Sequence, residues 1–156
     1  MSSFTRPRRL TVDDDVSGFD CGNSIVNGWL TRHWQTSQKQ HTAVAYATFS
    51  EGRLIGFYTL SSYSVAHADA SGWLRRNAPD PIPAILLGML EVDIRCQTLY
   101  IGGQLLRDAV LRAQNAAEIL GVRAIVVDPA DETAVGFYER YGFRHIKDAK
   151  KMFLPL

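Results

Sequence analysis

A chain of 156 residues with 46% hydrophobic and 21% charged residues can bury one ordinary core, is not compositionally disordered, and is too short for two typical domains. Its formal charge of +1 excludes a uniformly basic nucleic-acid coat and leaves local clusters: Arg6, Arg8 and Arg9; Arg75 and Arg76; Arg144, Lys147, Lys150 and Lys151. Cys21 and Cys96 form no C-x-x-C pair, and no Cys/His spacing suits zinc, so neither a disulfide framework nor a structural metal is expected.

Met1 to Arg6 lack the apolar run of a signal peptide or membrane helix, which leads to the expectation of a soluble, cytoplasmic protein with no membrane partner. A first strand is predicted near Arg9 to Val12. Next, Ile25, Val26, Trp29, Leu30, His33 and Trp34 recur at helical spacing behind Asn23, a good cap. They predict one amphipathic helix ending in the polar run Thr36 to Gln40. Thr42 to Phe49 and Leu54 to Ser64, joined by Ser50-Glu51-Gly52-Arg53, read as a hairpin. Ala66 to Pro83 reads as a long loop with a helical turn near Trp73, because Pro79, Pro81 and Pro83 forbid helix.

Ala84 to Ile94 is an apolar run expected to form a central strand covered on both sides. From Gly103 to Leu120 the apolar residues follow one helical face, with Gly121 as terminator. Val122 to Val127 is a further strand, Asp131 caps a helix from Glu132 to about Tyr141 that Gly142 stops, and Phe143 to Ile146 with Lys151 to Leu154 close the chain as a strand pair. The order predicts an α/β chain of α+β type, a mixed and mostly antiparallel sheet with helices on both faces, in a single domain over 1–156.

A strand that runs through a polar turn into a helix opening at Gly102-Gly103 is a candidate anion cradle. Helix starts collect unpaired N–H groups and the positive end of the dipole. Simple chain reversal with close helix packing is the plainer explanation of the same pattern. The context favours the first: Leu87-Gly88-Met89-Leu90-Glu91-Val92-Asp93, then Gln97, Gly102 and Leu105-Leu106-Arg107-Asp108-Ala109, resembles the acetyl-CoA motif of the GNAT acetyltransferases. Ala134-Val135-Gly136-Phe137-Tyr138-Glu139-Arg140-Tyr141-Gly142-Phe143 resembles that family's closing motif. Phe19-Asp20-Cys21-Gly22 and Trp73-Leu74-Arg75-Arg76-Asn77-Ala78-Pro79-Asp80-Pro81-Ile82-Pro83 are similar to the GNAT toxins of bacterial toxin–antitoxin pairs, which acetylate the α-amine of aminoacyl-tRNA.

The resemblance implies an acetyl-CoA-dependent N-acetyltransferase that halts translation as a homodimer, with aminoacyl-tRNA as acceptor and a small DNA-binding antitoxin as partner. It implies cofactor contacts from Leu90, Val92, Gln97, Thr98, Leu99, Tyr100, Ile101, Gly102, Gly103 and Phe137, with no metal. Tyr138 is then the general acid for the departing thiolate: a phenol of pKa about 10 keeps its proton near neutrality and can pass it to a thiolate whose conjugate acid has pKa about 8.5. Glu91 is a second candidate, as a base for the amine. Arg6, Arg8, Arg9, Arg75 and Arg76 are the expected tRNA contacts. His33, His41, His67 and His145 have no metal spacing, and Trp29 and Trp34 are read as core or dimer residues.

The chain departs from the family where the loop, usually Q-G-x-G-x-G or Q-G-x-G-x-A, reads Gln97-Thr98-Leu99-Tyr100-Ile101-Gly102. None of these residues is proline, so backbone donors remain, and the loop can serve if it takes ordinary helical angles with Tyr100 turned away. Two alternatives stay open from the residues: an acetyltransferase of a protein or small-molecule amine, and a GNAT-fold binding or regulatory protein with impaired cofactor use.

Overall fold

A computed structural model describes residues 3–97, 100–147 and 149–156. The strands are β1 (Arg8–Arg9), β2 (Val44–Ser50), β3 (Arg53–Val65), β4 (Ile82–Val92), β5 (Ala124–Val127), β6 (Arg144–His145) and β7 (Met152–Pro155), in one seven-stranded sheet of order β1-β2-β3-β4-β5-β7-β6. β4 and β5 run parallel, whereas β1/β2, β2/β3, β5/β7 and β6/β7 are antiparallel, so the sheet is mixed and mostly antiparallel as the element order predicts. The helices are α1 (Ser24–Arg32), α2 (Trp34–Lys39), α3 (Gly72–Arg75), α4 (Ile101–Ala117) and α5 (Glu132–Arg140). The chain divides into two compact units, one of residues up to Ser61 with Met89–Val110, the other of Ser62–Gly88 with Leu111–Leu156.

In the first unit, the Asn23 side chain accepts from Ile25 and Val26 N–H, as expected of the cap. The single predicted helix is instead two. His33, at φ −123°, ends α1, and the Thr31 hydroxyl bonds back to the carbonyls of Asn27 and Gly28, a contact that loosens a helix at its end. α2 then sets Gln38 so that its amide donates to the Leu10 carbonyl and accepts from Ala45 N–H. α2 ends at Lys39 with Gln40 as its cap, so the helical segment stops within the polar run Thr36 to Gln40, where the end was expected.

Leu30, Trp34, Phe49, Leu54 and Phe57 are buried together, with Trp29 stacked on Phe57 at 6.1 Å and 3°, whereas Ile25, predicted on the buried face, is 81% exposed. Strand β1 is short, and Val12, predicted within it, lies outside and exposed. The β2–β3 turn has positive φ at Glu51 (52°) and Gly52 (78°), the type I′ geometry that matches strand twist.

In the second unit, the predicted loop Ala66 to Pro83 holds a 3₁₀ turn, His67–Asp69, and the one-turn helix α3. β4 starts at Ile82 rather than Ala84 and takes Pro83 into the strand. β4 pairs with β5 only from Ala84 to Leu87. The strand is largely buried to Leu87 and half-exposed beyond Gly88, so the covered central strand of the sequence reading is its first half, and Ile94–Cys96 is a 3₁₀ turn. α4 begins at Ile101 and ends at Ala117, earlier at both ends than predicted. Ile119 and Leu120 are exposed, and Gly121 lacks the positive φ of a helix-terminating glycine. α5 follows prediction: Asp131 accepts from Ala134 N–H, and Gly142 takes φ 91° just past the end.

Candidate active site

The best-anchored part of the first unit is the exit of β4. Asp93 is wholly buried and accepts from Asp20 N–H (3.2 Å), Arg95 N–H (3.0 Å), Arg95 Nε (2.8 Å) and Arg95 Nη2 (2.7 Å). Arg95 also donates to the Gly18 carbonyl, and Ile94 N–H to the Asp20 carbonyl, so the pair ties the Phe19-Asp20-Cys21-Gly22 segment to the end of the strand. These donors hold the Asp93 carboxyl down to about 2, the Arg95 guanidinium being the largest cause and burial opposing it. Gln97 donates to the Val92 carbonyl at 3.1 Å, which folds the start of the loop back on the strand it leaves.

Beyond that loop stands the start of α4, where Ile101 is buried and Gly102 and Gly103 are half-exposed. The first turn of a helix this long has N–H groups without intrahelical acceptors and the positive end of a dipole, a donor set that suits a diphosphate. Gly56 on β3 lets this turn come close: a Cβ there would meet Leu105 Cδ1 at 3.0 Å, Ile101 Cγ2 at 3.2 Å and the Glu91 carbonyl at 3.4 Å. The buried Tyr58 hydroxyl, two residues on, donates to the Asp108 carboxylate at 2.6 Å and ties β3 to α4.

Tyr100 departs from the ordinary helical angles that the sequence reading required, since its φ is 59°, the left-handed region that a family glycine would occupy without strain. Its ring is 86% exposed and does not fill the helix start. Thr98 and Leu99, two of the expected cofactor contacts, lie outside the described residues. Leu90, Glu91 and Val92 are half-exposed on the second half of β4, beyond its ladder with β5. Leu90 and Val92 therefore share one side of the strand and Glu91 the other.

In the second unit, Tyr138 is 9% exposed on α5, its ring held 5.2 Å from those of Phe137 and Phe143. Its carbonyl accepts from Tyr141 and Phe143 N–H, which fixes the helix end that carries it. Phe137 is half-buried and also touches the Tyr141 ring.

Of the expected tRNA contacts, Arg6, Arg8 and Arg9 are exposed in the first unit, and Arg75 and Arg76 in the second. Arg8 is engaged: it donates to both Asp14 oxygens at 2.8 and 2.9 Å and stacks 4.3 Å from the Phe49 ring, and it holds the Asp14 carboxyl down to about 2. Two arginines escaped the sequence reading. Arg95 stands at a D-x-R spacing after a strand, a pattern that could have flagged it, whereas Arg123 gives no local signal. The Arg123 guanidinium donates to the carbonyls of Trp73 (2.7 Å), Leu74 (3.0 Å) and Arg76 (2.9 Å) and stacks 4.1 Å from the Trp73 ring. Among the described residues no metal-binding group of histidine, cysteine and carboxylates exists, and no helix is long and apolar enough to cross a membrane.

No family model matches the chain. A tRNA-acetylating toxin of Mycobacterium tuberculosis (strain ATCC 25618 / H37Rv) is 42% identical over 143 residues, spanning 92% of this chain and 86% of that protein. The structure of AtaT complexed with acetyl-methionyl-tRNAfMet is similar with a TM-score of 0.88 at 26% identity, covering 98% of this chain and 95% of that one. A tyrosine-to-phenylalanine mutant of the AtaT toxin, bound to the C-terminus of the antitoxin AtaR and acetyl-CoA, has a TM-score of 0.79 at 25% identity over 98% of this chain and 93% of that one. A mixed sheet with a helix start at Ile101 and a tyrosine-bearing helix near its end defines a GNAT fold, and the likeness over nearly the whole chain narrows the class. The chain belongs to the GNAT family of tRNA-acetylating toxins.

Proposed function

We propose that this chain is an acetyl-CoA-dependent N-acetyltransferase, a toxin that acetylates the α-amine of aminoacyl-tRNA and so blocks translation. The observation that carries the reading is the 42% identity to a tRNA-acetylating toxin over 92% of the chain. Acetyl-CoA supplies an activated acyl group as a thioester. The chain's own part begins with anion binding by main-chain N–H groups between Gln97 and Gly103, with Leu90 and Val92 offering backbone groups to the pantetheine amides in the manner of an added strand, and Phe137 packing beside it. Asp93 and Arg95 fix the strand end from which that loop departs.

An α-amine has pKa about 7.7 to 8.0, so a useful share is already neutral at cellular pH and needs only a weak base. As its nitrogen bonds to the thioester carbonyl carbon, the C–S bond breaks, Tyr138 Oη gives its proton to the leaving sulfur, and the amine loses one proton. Glu91 is assigned to receive the amine's proton. Arg6, Arg9, Arg75 and Arg76 serve as phosphate contacts, and Arg8 serves more weakly because Asp14 holds it. The whole of residues 1–156 acts as one catalytic domain, in the cytoplasm, as a homodimer, with a small DNA-binding antitoxin as its partner.

The test is transfer of label from acetyl-CoA to charged tRNA, to a peptide N-terminus and to a small amine, side by side. Label on the aminoacyl group of tRNA is the expected result; label confined to the peptide or the small amine sinks the assignment of substrate.

A further inference from the structure

The segment Trp73 to Pro83 combines two exposed arginines with an unusual support. α3 is a single turn, Gly72–Arg75, far too short to hold itself together in water. Its carbonyls nevertheless all find donors. Gly72 accepts from Arg76 N–H and Arg75 from Ala78 N–H, and Trp73, Leu74 and Arg76 accept from the one guanidinium of Arg123. A cation at the C-terminal end also meets the negative end of the turn's dipole. The clamp is stacked as well as bonded: Arg123 lies over Trp73, and Trp73 is parallel to Phe153 within 5° at 6.3 Å.

The far side of the segment is fixed by His67, whose Nε2 lies 2.8 Å from the Ala78 carbonyl and whose N–H donates to the Asp80 carboxylate. Arg123 is itself held at the entry to β5, its N–H donating to the Pro83 carbonyl and its carbonyl accepting from Leu156 N–H. Leu74, between the stacked tryptophan and the two arginines, is 1% exposed and pins the turn. Arg75 and Arg76 remain exposed, with no carboxylate of a described residue in ion-pair range.

We infer that Arg123 is a positioning residue for the tRNA acceptor: through its grip on α3 it holds Arg75 and Arg76 as a preset pair of phosphate contacts. The inference rests on the reading of aminoacyl-tRNA as substrate and adds to it a residue that need not touch the RNA. The three carbonyls are met from two separate nitrogens, Nε and Nη2, of one rigid plane that also stacks on Trp73, whereas an ammonium gathers its three donors on a single atom. A lysine keeps the charge and loses the grip.

The experiment uses the full chain and four proteins: wild type, Arg123→Lys, the double variant Arg75→Ala/Arg76→Ala, and the three changes combined. Aminoacyl-tRNA binding is measured against salt, and acetyl-CoA binding by calorimetry. The double variant is expected to reduce the log–log salt slope by about 2 and to weaken binding about tenfold or more near 0.1 M salt. Arg123→Lys is expected to weaken tRNA binding and lower the slope with acetyl-CoA affinity unchanged, and to add nothing in the combined protein. An Arg123→Lys protein that binds tRNA like wild type overturns the inference. So does an effect that adds in full to the double variant, or a loss of tRNA and acetyl-CoA binding together, which marks a merely structural role. Wild type that acetylates no aminoacyl-tRNA instead removes the substrate reading on which the inference stands.

Discussion

Replacing Asp93 with asparagine keeps the shape of the side chain while it removes the charge and turns one acceptor into a donor that faces Arg95 or the Asp20 N–H. The folded-state carboxyl sits at about 2 against an ordinary 3.8, and at about 1.36 kcal/mol per pH unit that depression is worth about 2 kcal/mol. Asp93 is fully buried, but the Arg95 side chain is 51% exposed and can be rehydrated when its partner is lost, so a cost of about 1 to 2 kcal/mol is expected at pH 7. Because the folded pKa is depressed, this stability is present above the unfolded value and is lost as pH falls through the folded one. The gap between wild type and variant therefore closes between about pH 4 and pH 2. Urea denaturation of both proteins at several pH values and constant ionic strength measures it. A gap that is absent at neutral pH, or that stays constant down to pH 2, refutes the assignment of the Asp93–Arg95 pair as an anchor. The same variant should bind acetyl-CoA more weakly, since the loop from Gln97 departs from the strand end that the pair fixes.

Tyr138→Phe is expected to leave the fold and acetyl-CoA binding intact while lowering turnover by about 10² to 10⁴, and steady-state rates beside calorimetry check it; unaltered turnover removes its role as acid. Gly56→Ala places a Cβ 3.0 Å from Leu105 Cδ1, so thermal denaturation should show a loss of about 1 to 3 kcal/mol together with weaker acetyl-CoA binding. Tyr100→Gly should relieve a left-handed residue worth about 1 to 2 kcal/mol, less about 0.5 to 1 kcal/mol of added chain entropy. A small gain in denaturation midpoint is therefore expected for the glycine and none for Tyr100→Ala.

Features written in short-range chemistry could be read from the sequence. Asn23 and Asp131 cap helices, Glu51-Gly52 turns a hairpin, and Gly142 ends α5, each through contacts within a few residues. The break at His33 could not be read, because the apolar spacing from Trp29 to Trp34 continues across it. What redirects the chain is Gln38, whose amide bridges Ala45 on β2 and Leu10, the latter far from it along the chain. The site divides in the same way. The motif around Gln97 and Gly102 and the phenol at Tyr138 stand out by residue type, whereas Arg123 acts on carbonyls about fifty residues earlier and leaves no local trace. Tyr100 is a different case: the sequence marks the missing glycine, but only backbone geometry reveals that the left-handed angle is kept without it.

The three tryptophans fall on different sides of the division in the chain, Trp29 and Trp34 among the residues of the first unit and Trp73 in the second. Each sits in a distinct optical setting: Trp29 lies flat on a phenylalanine, Trp34 is sealed from water, and Trp73 lies under a guanidinium. Emission from a protein that keeps only Trp73, compared with one that keeps only the other two, gives each half its own melting curve. Coincident curves identify a single cooperative transition; separated midpoints identify halves that come apart in turn.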